Sequence, residues 1–155
     1  MQNPIDTTPL EMPQKTSDGI NEKMRAAHVG LRTPDYEGTI RWYTEKLGFR
    51  LLQQWTVGDL QLAFLAPAND DAFWLEVLSG GIPNTQPAPS HLISSGFQHL
   101  CLEVDNVEET LAVLRTRGVE VVRESFNVPA IGKRCGFIAD LYGNVIELVS
   151  TIEAN

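Results

Sequence analysis

Apolar and polar residues alternate along this chain with two different periods, and the changes of period predict its secondary structure. Residues 36–47 carry Ile40, Tyr43 and Leu47 at the spacing of one helix face, whereas the stretches on either side alternate with the two-residue period of strands. Gly48 suits the end of that helix. The first half is therefore predicted to run strand, helix, strand, strand, strand, over residues 26–32, 36–47, 49–55, 60–66 and 73–79.

The second half of the chain repeats this order. Asp105 or Asn106 can cap a helix that runs to about Arg117, with three apolar residues on its inward face, namely Val107, Leu111 and Leu114. The predicted strands cover residues 97–104, 119–123, 134–139 and 144–150. Residues 125–133 are predicted to form a loop. Each half of the chain is thus predicted to be one βαβββ unit, and the chain to be an internal duplication.

Stretches rich in proline and polar residues mark the predicted boundaries. Residues 1–23 are expected to form a flexible N-terminal arm, and whether this arm packs on a partner subunit is left open. Residues 81–95 have the composition of a linker. These boundaries predict a single domain over 24–151, built from module 1 (24–80), the linker and module 2 (96–151).

The duplication extends to the chemistry of single residues. The apolar run FWLEVLS holds one acid, Glu76, and the later run NVIELVS holds one acid, Glu147. The offset between His28 and His99 equals the offset between the two glutamates, so each histidine precedes its own glutamate by the same number of positions. A doubled spacing of this kind is hard to obtain by chance, so these four residues are predicted to form a site. The alternative for Glu147 alone is an edge strand on which its carboxylate faces water.

Two imidazoles and two carboxylates suit one divalent transition metal, such as nickel, cobalt, manganese, iron(II) or zinc. Four protein ligands leave two octahedral positions for neighbouring substrate oxygens, where a metal can stabilise an enediolate as a Lewis acid. Glu147 or Glu76 could then shuttle a proton between adjacent carbons. Other side chains share the same strand faces, namely Arg32, Trp74, Leu78, Cys101, Glu103, Val145 and Val149. The other possibility is that each histidine merely neutralises a glutamate inside the sheet.

The composition of the chain argues against several classes of binding partner. The net charge of −8 and the pI near 4.8 argue against a surface for nucleic acid or anionic membrane. No apolar run approaches the length of a membrane span, and the N-terminus lacks the pattern of a secretion signal. The two cysteines, Cys101 and Cys135, form neither a disulfide framework nor a metal-type spacing. The chain is therefore expected to act on a small molecule in the cytoplasm.

Four segments resemble the vicinal oxygen chelate superfamily, the group of glyoxalases, bleomycin-resistance proteins and extradiol dioxygenases. They are AHVGLRTPDYEGTIRWYTEKLGF, FWLEVLSGG, FQHLCLEV and FIADLYGNVIELV, and the resemblance covers residues 24–151. It implies an α+β fold in which paired βαβββ modules form a curved, cup-like mixed sheet, and it implies a homodimer. Bacterial glyoxalase I uses metal ligands in the order His, Glu, His, Glu. The ligands implied here are His28, Glu76, His99 and Glu147.

The resemblance to glyoxalase I also bears on substrate binding. Arg32 matches an arginine that contacts glutathione in that enzyme, and Lys133 falls near a basic residue of its substrate loop, with an ordinary solvated charge as the alternative for both. The predicted substrate-binding residues are Arg32, Trp74, Cys101, Glu103 and Lys133. The sequence departs from the family pattern in two places. The usual Asp-Pro-Asp-Gly turn reads Asp-Leu-Tyr-Gly over 140–143, and Gly80 replaces a common asparagine.

Three functions remain open from the sequence. The leading prediction is a metal-dependent lyase or isomerase of the glyoxalase I type that acts on a small vicinal-oxygen substrate, with Glu147 and Glu76 as the catalytic residues. An extradiol-type iron(II) dioxygenase uses two histidines and one carboxylate, so a fourth ligand speaks against it. A non-catalytic binding or resistance protein could stack a planar molecule on Trp74. Such a protein has no need of four metal-type residues.

Overall fold

A computed structural model describes residues 12–15, 26–82 and 99–152 of the chain. Contacts between residues divide the chain into two compact units, one formed by Gln14–Asn84 and the other containing Thr85–Asn155. Most of the predicted arm and linker lies outside the described residues. Neither helix in the described part of the chain has the length and apolar character needed to span a bilayer.

The first unit has the βαβββ order that the sequence predicts. Its elements are β1 (His28–Arg32), α1 (Tyr36–Leu47), β2 (Arg50–Val57), β3 (Leu60–Ala66) and β4 (Trp74–Leu78). The strands form one sheet in the order β1-β4-β3-β2, in which β1 and β4 are parallel and the other pairs are antiparallel. Strand β4 is thus an interior strand that is hydrogen-bonded on both sides.

Helix α1 has its predicted bounds because both of its ends are capped. The Asp35 carboxylate accepts a hydrogen bond from the backbone N–H of Gly38 at 2.9 Å. At the other end Gly48 takes a φ of 73°, the left-handed conformation that suits glycine after the last turn of a helix. Ile40 and Tyr43 on the inward face are buried. Within this unit the helix therefore covers one face of the sheet.

The second unit repeats the same plan. Its elements are β5 (Leu100–Glu103), α2 (Val107–Thr116), β6 (Glu120–Val128), a 3₁₀ turn (Pro129–Ile131), β7 (Lys133–Ala139) and β8 (Val145–Thr151). The sheet order is β5-β8-β7-β6, with β5 and β8 parallel. The Asn106 side chain caps α2 by accepting from the backbone N–H of Glu109 at 3.0 Å. The predicted α+β fold of paired βαβββ modules is confirmed.

The prediction of a loop over residues 125–133 is wrong. Strand β6 pairs with β7 as far as Val128, and only the short turn Pro129–Ile131 separates β6 from Gly132 and the start of β7. The ladder between β6 and β7 has register irregularities on both sides of Arg123. Irregularities of this kind interrupt the two-residue alternation of side chains. The sequence therefore loses its strand pattern here although the backbone stays in the sheet.

Candidate metal centre

The first unit brings His28 and Glu76 together on neighbouring parallel strands. Glu76 lies in the middle of β4 with Gly30 of β1 opposite to it, so His28, two residues before Gly30, shares its face. Nε2 of His28 lies 3.4 Å from Oε2 of Glu76. Phe64 of β3 pairs with Glu76 on its other side, and the Phe64 ring lies 5.4 Å from the imidazole of His28. The pair thus lies beside an aromatic ring.

The second unit builds the same arrangement from His99 and Glu147. His99 directly precedes β5, and Glu147 lies on β8 with Cys101 opposite to it. Nε2 of His99 lies 3.0 Å from Oε2 of Glu147. Phe137 of β7 pairs with Glu147, and its ring lies 5.8 Å from the imidazole of His99. Because β8 is an interior strand between β5 and β7, the edge-strand interpretation of Glu147 is wrong.

Each pair has donor atoms that suit a metal ion. Two donors about 2.1 Å from one ion and about 90° to 110° apart are separated by about 3.0 to 3.4 Å, and the two measured separations are 3.0 Å and 3.4 Å. The histidine side chains keep 40% and 33% of their surface exposed and the glutamate side chains 17% and 18%, so in each pair the imidazole is the more accessible partner. Among the described residues no group of three or more His, Cys, Asp or Glu side chains gathers at one point. Each unit therefore supplies two candidate ligands.

Two thiols flank Glu147. Cys101 lies opposite Glu147 on β5, and Cys135 lies on the other neighbouring strand, β7, opposite Val149. Desolvation and a hydrogen bond to Glu147 raise the pKa of Cys101 to about 12. The same two causes raise the pKa of Cys135 to about 11. Beside the Glu147 carboxylate both thiols are therefore protonated near neutral pH and can donate to it.

The predicted substrate-binding residues have identifiable partners. Arg32 is exposed and donates to the Ser79 carbonyl oxygen at 3.1 Å, and the Trp74 indole donates to the Asp71 carbonyl oxygen at 2.9 Å. Nζ of Lys133 lies 3.1 Å from Oε1 of Glu103 and also contacts the Thr151 hydroxyl. Lys133 and Glu103 thus neutralise each other. Val145, which was expected on the same face, is buried.

Apart from Trp74, the aromatic side chains on the two sheet faces that carry the His–Glu pairs were not predicted from the sequence. In the first unit the ring of Phe64 lies 4.6 Å from that of Trp55 and 5.2 Å from that of Trp74. In the second unit Phe126 stacks on Phe137 with 6.0 Å between ring centroids. The signal was weak because Phe64 and Phe137 lie farther apart along the sequence than the two glutamates do. The connection from β3 to β4 is longer than its counterpart, so a search at one fixed spacing does not match them.

One buried carboxylate holds the turn that leads into β8. Oδ1 of Asp140 accepts from the backbone N–H groups of Tyr142 and Asn144, each at 2.9 Å, and Oδ2 accepts from the Asn144 side-chain amide at 2.8 Å. Gly143 takes a φ of 78°, which suits glycine. The Asp-Leu-Tyr-Gly sequence therefore builds a tight turn although it lacks the usual proline.

We expect Asp140→Ala to lower the free energy of unfolding by about 2 to 4 kcal/mol, because it removes the acceptor from three donors at a buried site. Asp140→Asn keeps the acceptor of both backbone bonds and is expected to lose less than half as much. Urea denaturation followed by circular dichroism measures both variants. A stability of Asp140→Ala within about 0.5 kcal/mol of the wild type would contradict this role of the turn.

Two duplicated βαβββ units, each with a His–Glu pair beside a phenylalanine, define a class of paired-module proteins. The family model described as the Glyoxalase/Bleomycin resistance protein/Dioxygenase superfamily matches residues 25–148, and the chain belongs to this superfamily.

Several curated relatives share the name lactoylglutathione lyase. Probable lactoylglutathione lyase, chloroplastic, of Arabidopsis thaliana is 30% identical over 83% of this chain and 36% of the relative. Lactoylglutathione lyase of Salmonella typhimurium is 29% identical over 84% of this chain and 96% of the relative. The crystal structure of the trypanothione-dependent glyoxalase I of Leishmania major has a TM-score of 0.63 at 26% identity, and covers 83% of this chain and 87% of that one. The chain spans half or less of the length of the plant relatives.

Proposed function

We propose that this chain is a metal-dependent lyase of the glyoxalase I type that acts on a small vicinal-oxygen substrate. The observation that carries the proposal is the duplicated His–Glu pair, with donor atoms 3.4 Å and 3.0 Å apart in the two units. Membership of the superfamily and the names of the relatives support it. The proposed ligands of one divalent metal are His28, Glu76, His99 and Glu147. A homodimer is proposed from the resemblance to the superfamily, and a cytoplasmic setting from the two unpaired cysteines of the sequence.

The proposed reaction is a proton transfer between adjacent carbons. The relatives are named for lactoylglutathione, so the proposed product is an α-hydroxy thioester and the proposed substrate is the adduct of a 2-oxoaldehyde with a thiol. Such an adduct becomes the thioester when the proton on the carbon that bears sulfur moves to the neighbouring carbonyl carbon and the hydroxyl proton of the first carbon moves to the oxygen of the second. When bound, the metal supplies Lewis-acid polarisation of the substrate oxygens. No other reactant is consumed.

The two glutamates are the proposed proton carriers. Glu147 is the first candidate base, with Glu76 as the second, because both carboxylates lie on open sheet faces beside a histidine. Cys101 and Cys135 restrain Glu147 through hydrogen bonds from their protonated thiols. Phe64 and Phe137 lie opposite the two glutamates on the neighbouring strands. Each glutamate side chain keeps less than a fifth of its surface exposed.

Metal content tests the proposed site directly. We expect untagged wild-type protein to bind one divalent ion stoichiometrically, and His28→Ala and His99→Ala each to lose it, because each variant removes one of four donors. Elemental analysis after loading with nickel, cobalt, manganese, iron(II) or zinc measures the content. His91→Ala is the matched control, since it removes the remaining histidine of the chain. Wild-type protein that takes up none of the five ions would overturn the proposal in favour of a binding protein.

A further inference from the structure

In each sheet one face carries the His–Glu pair, and the strand registers identify equivalent residues on these two faces. Phe64 pairs with Glu76 and Phe137 pairs with Glu147, so the two phenylalanines are equivalent. On the next strand Gln53 pairs with Phe64, whereas Arg123 pairs with Phe137. The second unit therefore carries a cation where the first unit carries a neutral amide. A difference at equivalent positions of a duplicated site is where an asymmetric ligand can be recognised.

The Arg123 guanidinium lies over an aromatic ring. Its Cζ lies 3.8 Å from the centroid of the Phe126 ring, well within the range of a cation–π contact. Phe126 in turn stacks on Phe137, whose ring lies 5.8 Å from His99. The guanidinium and the rings of Phe126 and Phe137 thus form a row of contacts that ends at the His99–Glu147 pair. Stacking occupies the face of the guanidinium and leaves its N–H groups, which lie in the plane, directed outward.

The charge of Arg123 is not neutralised by a carboxylate within the described residues. Three other cations of the second unit each form an ion pair, in the combinations Arg115 with Glu124, Lys133 with Glu103, and Arg134 with Glu108. Arg123 is exposed, and its guanidinium contacts the Phe126 ring. The chain as a whole carries a net charge of −8. On an acidic protein, an exposed arginine without a carboxylate partner is available to an anionic group of a ligand.

We propose that Arg123 binds a carboxylate of the substrate, and that the substrate carries a planar apolar group that packs on Phe126 and Phe137. The N–H groups of a stacked guanidinium form a fork that matches the two oxygens of a carboxylate. The rings of Phe126 and Phe137 contact the apolar part of the substrate, which lies between its carboxylate and its reacting carbons. This inference rests on the proposed function, because it names the substrate class of the same site. Arg123 acts in binding and takes no part in the proton transfer.

Naphthalene-2-carboxylate and 2-naphthamide form a matched pair of probes, because they share one ring system and differ in charge. Isothermal titration calorimetry with wild-type protein is expected to give a Kd for the carboxylate at least tenfold lower than for the amide. In Arg123→Gln, which installs the residue of the equivalent position in the first unit, the carboxylate is expected to lose about tenfold in affinity. The affinity for the amide is expected to change less than twofold. Arg123→Lys keeps the charge and is expected to recover part of the loss.

The titrations are repeated after removal of divalent ions with a chelator, because a carboxylate can also bind a metal. Dependence on Arg123 that persists without metal supports the proposed site. Equal affinity of wild type and Arg123→Gln for the carboxylate overturns it, and so does an equal loss of both probes. The outcome is separable from the proposed function. If the protein binds no metal and forms no thioester but still distinguishes the probes through Arg123, the anion site stands and the lyase does not.

Discussion

Replacing Glu147 by glutamine is expected to lower turnover about a hundredfold to ten-thousandfold, the usual contribution of a positioned general base. Glutamine has nearly the same size and keeps an acceptor oxygen toward Cys101 and Cys135, so the change removes proton affinity with little disturbance of β8. The measurement is the rate of thioester formation from adducts of 2-oxoaldehydes with glutathione and other thiols. The metal content of each variant is determined on the same preparation.

Metal content separates the two roles of the glutamate. A Glu147→Gln protein that keeps its metal and loses turnover identifies Glu147 as the base, whereas loss of both identifies a ligand. Glu76→Gln is measured in parallel, and the glutamate whose variant keeps metal but not turnover is the base. Glu109→Gln, an exposed position on helix α2, removes the same charge and is expected to leave turnover unchanged. Full turnover of metal-loaded Glu147→Gln would exclude Glu147 as the base.

The repeat predicted from the sequence identified the candidate ligands because the two modules have the same strand order. Each histidine therefore precedes its glutamate by the same number of residues. Helix α1 and strand β3 have the predicted bounds, since an amphipathic face with two caps and a regular strand period are both local signals. The constant offset between the modules located both histidines and both glutamates, and the structure places each histidine beside its own glutamate. Local pattern and repeat were sufficient for these elements.

The parts that sequence analysis missed depend on pairing between strands. Phe64 and Phe137 are equivalent through their registers with the glutamates, and a change in the length of one connection hides this from a fixed spacing. Arg123 lies between two register irregularities, so its face could not be assigned from alternation. Lys133 and Glu103 pair across 30 residues, and no local signal indicates that contact. Periodicity can be detected in the sequence of one strand, whereas register depends on how two strands pair.

Leu148→Ala is expected to lower the free energy of unfolding by about 3 kcal/mol. Leu148 lies on β8 next to Glu147 but on the opposite face, with 2% of its surface exposed. Packing behind it is tight, because a Cβ on its register partner Gly136 would lie 3.0 Å from side-chain atoms of Leu111 and Val107 of helix α2. A cavity there cannot collapse easily, and Leu→Ala at such sites costs about 2 to 5 kcal/mol. Leu52→Ala on β2, where the leucine is 39% exposed, is the control and is expected to lose about 1 kcal/mol.

The same variant tests whether residues 24–151 unfold as one domain. The three tryptophans of the chain, Trp42, Trp55 and Trp74, all lie in the first unit, whereas Leu148 lies in the second. Circular dichroism reports both units, and tryptophan fluorescence reports the first. If the modules form one cooperative domain, Leu148→Ala lowers the urea midpoint by about 1 to 2 M with both probes. A fluorescence midpoint that stays at the wild-type value while the circular dichroism midpoint falls would show that the units unfold independently, and each half of the site would then be held by its own module alone.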